Sequence, residues 1–122
     1  MATPYRLEVV VHDGYLQATA HGMHTQENMS RFLGEVYKAC LANRKDSVLL
    51  DIQFEGPSMG TSSIFSVVQE RIAQAQELRR IAYIDAVRDP AKTGFAETVA
   101  RNRGVNVRLF ASVEQAKAWL EG

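Results

Sequence analysis

The chain has 122 residues, with 14 Lys and Arg against 14 Asp and Glu, so it carries no formal net charge. A chain of this length can bury one core, and we expect a single domain over 1–122. Neither sign of charge forms a block, which argues against a nucleic-acid or anionic-membrane binder. No apolar stretch approaches the roughly 18 residues of a membrane span or suits a signal peptide, so we expect a cytoplasmic protein without a membrane span.

Cysteine and histidine usage restricts the metal and redox chemistry that the chain can perform. Cys40 is the only cysteine, so no internal disulfide and no cysteine-rich zinc site can form. It falls on the apolar face of a predicted helix, which favours inert packing. His21 and His24 have a His-x-x-His spacing, but His12 should lie at the opposite end of its hairpin and no Asp or Glu adjoins the pair. We expect surface histidines, no metal site and no cofactor.

The first half of the chain predicts a hairpin, a helix and a buried strand. "YRLEVVVHDGYLQATAHG" predicts two antiparallel strands around Asp13 and the glycine after it. From Thr25 onward apolar residues recur three and four apart, which predicts an amphipathic helix capped near Thr25 and ending by about Asn43. "SVLLDI", over 47–52, is short and nearly all apolar, as a central strand covered on both faces would be.

The second half alternates helices with strands. After a helix that begins near residue 61, we predict a strand over 79–86, a helix over 89–104, a strand over 105–110 and a final helix. Asp89 should cap the third helix and Gly104 end it, while Ser112 and Gln115 have the spacing of a capping box. The order ββαβαβαβα predicts an α/β fold with helices packed on a mostly parallel mixed sheet, whose first strand is antiparallel.

The connection between the strand over 47–52 and the next helix is long, at about ten residues against a usual length of roughly 2 to 6. It carries the apolar residues Phe54, Pro57 and Met59. They either line a shallow pocket or partner surface, or fold over the edge of the sheet as a local lid. Parallel sheets usually meet ligands and partners at this edge, where the strands end.

Three hydroxyl residues, Thr61, Ser62 and Ser63, open the following helix. We expect one of them to cap it, because the first backbone N–H groups of a helix need acceptors. A phosphate on a hydroxyl here would face those same groups and the positive end of the helix dipole. Capping and phosphate acceptance are therefore both open interpretations of the cluster.

The whole chain resembles the SpoIIAA-like branch of the STAS domain family, named for sulfate transporters and anti-sigma factor antagonists. The residues that carry the resemblance are "SVLLDI" with its terminal Asp51, the hydroxyl cluster and the closing "VRLFASVEQAKAWL", together with the element order. The resemblance covers nearly all of the chain. It implies the STAS fold and the use of the strand-to-helix junction for recognition.

The resemblance also implies a phosphorylation site. In the antagonists an Asp-Ser-Ser-Gly-Leu-like motif carries a serine that is phosphorylated by a partner kinase, which is also the anti-sigma factor. On this sequence the motif places Ser62 at the acceptor, Thr61 at the hydroxyl before it and Ser63 at the glycine, while Gly60 takes the place of the aspartate. Ser62 is therefore the candidate phosphoacceptor, and an anti-sigma factor or kinase-like protein the candidate partner.

Asp51 also suggests a response-regulator receiver, in which an aspartate at a strand end accepts phosphate. A receiver needs an acidic pair after its first strand and a lysine after its last. Asp13 has no acidic neighbour, and Ala111 and Ser112 occupy the lysine region, so we reject this interpretation. We expect Asp51 to accept hydrogen bonds from backbone N–H groups of the loop.

The favoured hypothesis is a noncatalytic recognition domain whose working surface comprises the loop over 53–63 and the first turn of the next helix. A rival hypothesis is a carrier or sensor of a small apolar ligand, because SpoIIAA-like proteins also resemble the CRAL-TRIO lipid-binding fold. In that case the residues expected to line a cavity are Phe54, Met59, Phe65 and Phe95. A hydrolase that uses Ser62 is the weakest alternative, since no Gly-x-Ser-x-Gly elbow is present. A homodimer through a helix face or the first-strand edge is also considered.

Overall fold

The computed structural model describes residues 4–57, 59–85 and 90–122, with side chains from residue 94 onward in the last range. Its elements are β1 (Tyr5–Val11), β2 (Leu16–Met23), α1 (Gln26–Ala42), β3 (Ser47–Glu55), α2 (Thr61–Gln76), β4 (Arg80–Ile84), α3 (Pro90–Arg101), β5 (Val107–Leu109) and α4 (Val113–Glu121). The predicted order ββαβαβαβα is confirmed. None of the helices in these ranges is long and apolar enough to cross a membrane.

The five strands lie side by side in the order in which they occur along the chain. β1 pairs with β2 in an antiparallel direction, whereas β2, β3, β4 and β5 are parallel to their neighbours. The predicted mixed sheet with an antiparallel first strand is therefore confirmed. β3 pairs with β2 along its full length but with β4 only as far as Asp51, so its last residues have a neighbour on one side only.

Side chains alternate across the sheet, so each strand contributes to two apolar clusters. In β3, Leu50, Ile52 and Phe54 face α1 and α2, whereas Leu49 faces α4. The α4 cluster consists of Tyr15, Leu49, Ala82, Ile84, Ala116 and Leu120, with Phe110, Val113 and Trp119 at its margin. A nearly all-apolar β3 is thus explained by burial on both faces.

Two of the predicted helix caps form as their spacing requires. The Thr25 hydroxyl accepts a hydrogen bond from the backbone N–H of Asn28 (3.0 Å) at the start of α1. At the start of α4 the Ser112 hydroxyl accepts from the backbone N–H of Gln115 (3.2 Å). Each cap determines the residue at which the segment after a strand becomes helical.

The other predicted helix ends are also informative. α1 ends with Asn43 as its C-cap, as expected, and Gly104 has a φ of +82° in the turn after α3, a conformation that favours glycine. The predicted cap of α3, Asp89, lies outside the described residues.

Candidate functional site

The strand-to-helix junction is shorter than the sequence suggested. β3 continues to Glu55 and α2 begins at Thr61, so the connection comprises only residues 56–60. The prediction of a loop over 53–63 was wrong because β2 extends alongside β3 to its end. The backbone N–H of His24 completes this pairing by donating to the Glu55 carbonyl (2.7 Å). Gly56, with a φ of +100°, then turns the chain away from the sheet.

Two predicted site residues belong to the strand and not to the loop. Phe54 is fully buried, and its ring packs edge-on against Phe32, with ring centroids 6.0 Å apart. Asp51 lies on the same side of β3 as Leu49, facing away from α2, and the partner shown for its carboxylate is the amide of Gln53 (3.1 Å). The expectation that Asp51 bonds the loop was therefore wrong, because the strand does not end there.

The three hydroxyl residues lie inside the first turn of α2. Gly60 is the N-cap and no side chain caps the helix, so the expectation that Thr61, Ser62 or Ser63 caps it was wrong. They begin one position too late, since a capping side chain must precede the first helical residue. Thr61 and Ser62 are exposed and Ser63 is half-buried.

The two remaining loop residues point in different directions. Pro57 is exposed, and its carbonyl accepts a hydrogen bond from Nδ1 of His24 (3.2 Å), which ties the loop to the end of β2. Met59 is half-buried and packs against the larger apolar cluster. Of these two residues, only Met59 therefore contributes an apolar side chain to the interior.

Met59 lies over a cavity of about 130 Å³ that the sequence only partly indicated. The lining comes from β3, β4, β5, α1, α2, α3 and the segments beside them: His24, Met29, Leu33, Tyr37, Leu50, Ile52, Met59, Ile64, Val67, Val68, Arg71, Ile72, Ala75, Ile81, Tyr83, Asp85, Ala96, Ala100, Val105 and Val107. Most of these side chains are apolar. Three alanines, Ala75, Ala96 and Ala100, keep α2 and α3 from filling the space.

The aromatic residues expected in a cavity are placed elsewhere. Phe54 belongs to the packed core, and Phe65 is 38% exposed with the guanidinium of Arg103 4.9 Å from its ring centre. Phe95 is half-buried on α3 and is not among the lining residues. Met59 is thus the one of the four predicted residues that lines the cavity. The periodicity of α2 places Phe65 on its exposed side, which explains the difference for that residue.

Two tyrosines, Tyr37 and Tyr83, are among the residues that line the cavity. Burial raises the pKa of Tyr37, and burial together with the charge of Glu97 raises the pKa of Tyr83, so both stay neutral over the physiological range. Asp85, at the end of β4, is also buried among the lining residues. The cavity therefore combines an apolar wall with a few polar groups, a combination typical of small-molecule sites.

Arg71 borders the cavity from the seam between α1 and α2. Its Nε donates to the carbonyl of Ser30 (3.0 Å) and its Nη1 to the side-chain oxygen of Gln74 (3.3 Å). Gly34 makes this position possible, since a Cβ there would come within 2.8 Å of the guanidinium carbon. Three hydrogen-bonded contacts, including one to the Ser30 hydroxyl (3.2 Å), hold the charge at the rim of the apolar space.

Sequence reasoning missed Arg71, Tyr37, Tyr83 and Asp85. A signal for Arg71 was present, because Val67, Arg71 and Ala75 are four residues apart and therefore share the buried face of α2. For β4 the signal was the polar end of an otherwise apolar strand, "IAYID". Tyr37 was indistinguishable from an ordinary residue of the apolar helix face.

The histidines and the cysteine are placed largely as expected. His12 bonds Gln17 (3.0 Å) at the far end of the hairpin from His21, as predicted. His21 has an acidic neighbour after all, since its Nε2 lies 3.6 Å from Glu8 across the β1–β2 pair, a contact that sequence adjacency cannot reveal. Over 4–57, 59–85 and 90–122, no three His, Cys, Asp or Glu residues form a group able to hold a metal.

Cys40 is fully buried in α1, and burial raises its pKa to about 11, so the predicted packing role is confirmed.

Comparison with known proteins identifies the fold. No family model and no curated protein matches the sequence. Among solved structures, the chain is similar to an uncharacterised protein of the DUF3478 family with a SpoIIAA-like fold from Shewanella loihica PV-4. The TM-score is 0.59 at 15% identity, covering 98% of this chain and 96% of that one. Together with the mixed sheet in the order expected of a STAS domain, this match shows that the chain has a SpoIIAA-like fold.

Proposed function

We propose that the chain is a noncatalytic recognition domain that binds a small apolar ligand in the cavity between α2, α3 and the sheet. The observation that carries the proposal is the cavity itself, about 130 Å³ of space with a mostly apolar lining. An apolar cavity of about 150 Å³ in another protein stays dry and binds benzene, so this volume suits a single ring or a short acyl segment.

The character of the lining supports an apolar ligand over trapped water. A buried water needs about two to four hydrogen-bonding partners, whereas aliphatic side chains such as Leu50, Ile72 and Val107 offer none. The expected ligand is therefore apolar.

The first experiment is a benzene titration followed by the methyl and amide NMR shifts of the purified protein, after organic extraction and mass spectrometry of any copurified molecule. We expect saturable shifts in residues of the cavity lining. An Ala75→Leu variant, which adds three carbon atoms inside the cavity, should lose them. The matched control is Ala73→Leu, because Ala73 is exposed two residues away on the same helix.

The titration can refute the proposal directly. Shifts that are absent in the unsubstituted protein, or that survive Ala75→Leu unchanged, would show that the cavity does not take an apolar molecule. Circular dichroism of both variants establishes that they are folded.

We also consider partner recognition at the start of α2, the function implied by the STAS resemblance. What favours it is the exposure of Thr61 and Ser62 beside backbone N–H groups that no side chain caps. A phosphate on Ser62 would lie near these groups and the positive end of the helix dipole. The partner would be an anti-sigma factor or a kinase-like protein, and the charge on Ser62 would control its binding.

A quantitative pull-down from the source organism's lysate tests this second function, with the unsubstituted protein and Ser62→Glu as baits. Ser66→Glu is the matched control, since Ser66 is also exposed and lies one turn further along α2. A protein retained by the unsubstituted chain and by Ser66→Glu but lost with Ser62→Glu supports the switch. Equal retention by all three baits contradicts it.

A further inference from the structure

β1 is an edge strand with an unusually open outer side. It pairs with β2 on one side, and no other strand of the described residues pairs with it. All seven residues of Tyr5–Val11 pair in unbroken register with β2. The opposite edge differs, because β5 comprises only Val107–Leu109. A long, regular edge presents a row of backbone N–H and C=O groups to whatever can pair with them.

The sequence of β1, "YRLEVVV", has two charged residues, Arg6 and Glu8, but lacks other devices that usually protect such an edge. Pro and Lys are absent from it, and its register contains no bulge. Val9, Val10 and Val11 are 39%, 52% and 50% exposed, so apolar β-branched side chains surround the free backbone groups. This composition favours pairing with a further strand.

The charges of β1 are complementary to a second copy of β1. Arg6 and Glu8 point to the same side of the strand, lie 3.2 Å apart and are largely exposed. If two copies pair in antiparallel fashion about a two-fold axis at Leu7, Arg6 of each copy lies opposite Glu8 of the other. An axis at Glu8 would instead place the two Glu8 carboxylates opposite each other, which is unfavourable.

The apolar side of the strand fits the same arrangement. With the axis at Leu7, the two Leu7 side chains lie opposite each other, and Tyr5 of one copy lies opposite Val9 of the other. Cross-strand pairs of aromatic and β-branched residues are stabilising. Both sides of β1 are therefore self-complementary in one register.

We propose that the chain forms a homodimer by antiparallel pairing of β1 with β1 of a second copy, centred on Leu7. The two five-stranded sheets then form one continuous sheet with an isologous interface. The proposal is independent of the ligand, because none of the β1 residues lines the cavity.

Sedimentation equilibrium of two charge-reversal variants tests the proposal. Arg6→Glu carries two acidic residues at these positions and Glu8→Arg two basic ones, so each variant should dimerise at least about tenfold more weakly than the unsubstituted protein. A 1:1 mixture should regain dimers, because each acidic strand then faces a basic one. Arg101→Glu, on the exposed end of α3, is the matched control and should dimerise normally.

The mixing step separates pairing between copies from effects within one chain. The Arg6–Glu8 contact inside each strand is broken in both variants, so only contacts between copies can restore association. An unsubstituted protein that stays monomeric at about millimolar concentration overturns the proposal. If each variant alone dimerises as strongly as the unsubstituted protein, or if the two variants do not associate on mixing, the proposed register is wrong and with it the β1 interface.

Discussion

The two faces of the sheet are built from the same strands, but the cavity lies on the face that α2 and α3 cover. Leu49 and Leu50 are neighbours on β3 and are 0% and 3% exposed, so burial alone does not distinguish them. Leu49 packs beneath α4 with Ala116 and Leu120, whereas Leu50 borders the cavity beneath α2 and α3. Equal burial therefore does not distinguish a residue packed beneath a helix from one that lines a cavity.

The difference arises from where small side chains are placed. On the α4 face Ala82 and Ala116 lie among larger residues that fill the space around them. On the other face Ala75, Ala96 and Ala100 come from two helices and adjoin one space. The predictions below test this contrast, beginning with the largest effect.

Replacing Leu49 and Leu50 by alanine in separate variants should lower the free energy of unfolding by different amounts, although the two residues are almost equally buried. We expect Leu49→Ala to lower the free energy of unfolding by about 4 kcal/mol and Leu50→Ala by about 2–3 kcal/mol, because Leu50 already lacks contacts on its cavity side. Urea unfolding followed by the fluorescence of Trp119, the single tryptophan, measures both. Equal losses, or a larger loss for Leu50→Ala, would contradict the contrast.

Alkaline pH should weaken the core on the cavity side through Cys40. Burial raises the pKa of Cys40 from 9.0 to about 11, so the unfolded chain loses this proton first and stability falls as pH rises through that window. The loss should approach roughly 2–3 kcal/mol above the folded pKa and become negligible below about pH 8.

Cys40→Val, of similar size, provides the control for this loss. Between about pH 9 and 10 the variant should lose less stability than the unsubstituted protein, and what it still loses comes from ionisation of the tyrosines in the unfolded chain. Urea unfolding at a series of pH values measures both proteins. A decline of the same size in the variant would show that Cys40 is not its cause.

The smallest expected effect concerns the ends of the helices. α1 and α4 have side-chain caps, whereas Gly60 gives α2 none, and a Cβ at Gly60 would meet no atom within 4 Å. Gly60→Asp should therefore stabilise the protein by about 0.5 kcal/mol, by capping α2 and restricting the unfolded chain.

Thr25→Ala, which removes an existing cap from α1, should cost about 1 kcal/mol and calibrates the measurement. Thermal unfolding monitored by circular dichroism compares the two variants with the unsubstituted protein. A Gly60→Asp variant that melts at a lower temperature would show that this position cannot accept a capping side chain.

The sequence predicted those features that depend on local spacing. The caps at Thr25 and Ser112 and the end of α1 near Asn43 follow from residues within one or two turns of each other. The element order and the sheet followed from alternation of strands with amphipathic helices, and the family resemblance identified the same fold.

The predictions that were wrong or incomplete concern features that depend on contacts between residues distant in sequence. The end of β3 is set by its pairing with β2, so Phe54 was assigned to a loop that does not include it, and Asp51 was expected at a strand end that lies further on. One residue of the hydroxyl cluster was expected to cap α2, and none does, because the position of a cap depends on where the helix begins. The cavity arises where three helices meet the sheet, and no single segment contains that information.

The order of the strands has a consequence for how the chain folds. Because each strand lies beside the one that precedes it in sequence, the sheet can grow one strand at a time from the β1–β2 hairpin. After the hairpin, each addition closes a crossover that contains one helix, and the entropic cost of closing a loop rises only slowly with its length. α4 is the exception, since the last helix returns to cover β3 and β4. During synthesis, the face of β3 and β4 that α4 covers therefore stays open until α4 has left the ribosome.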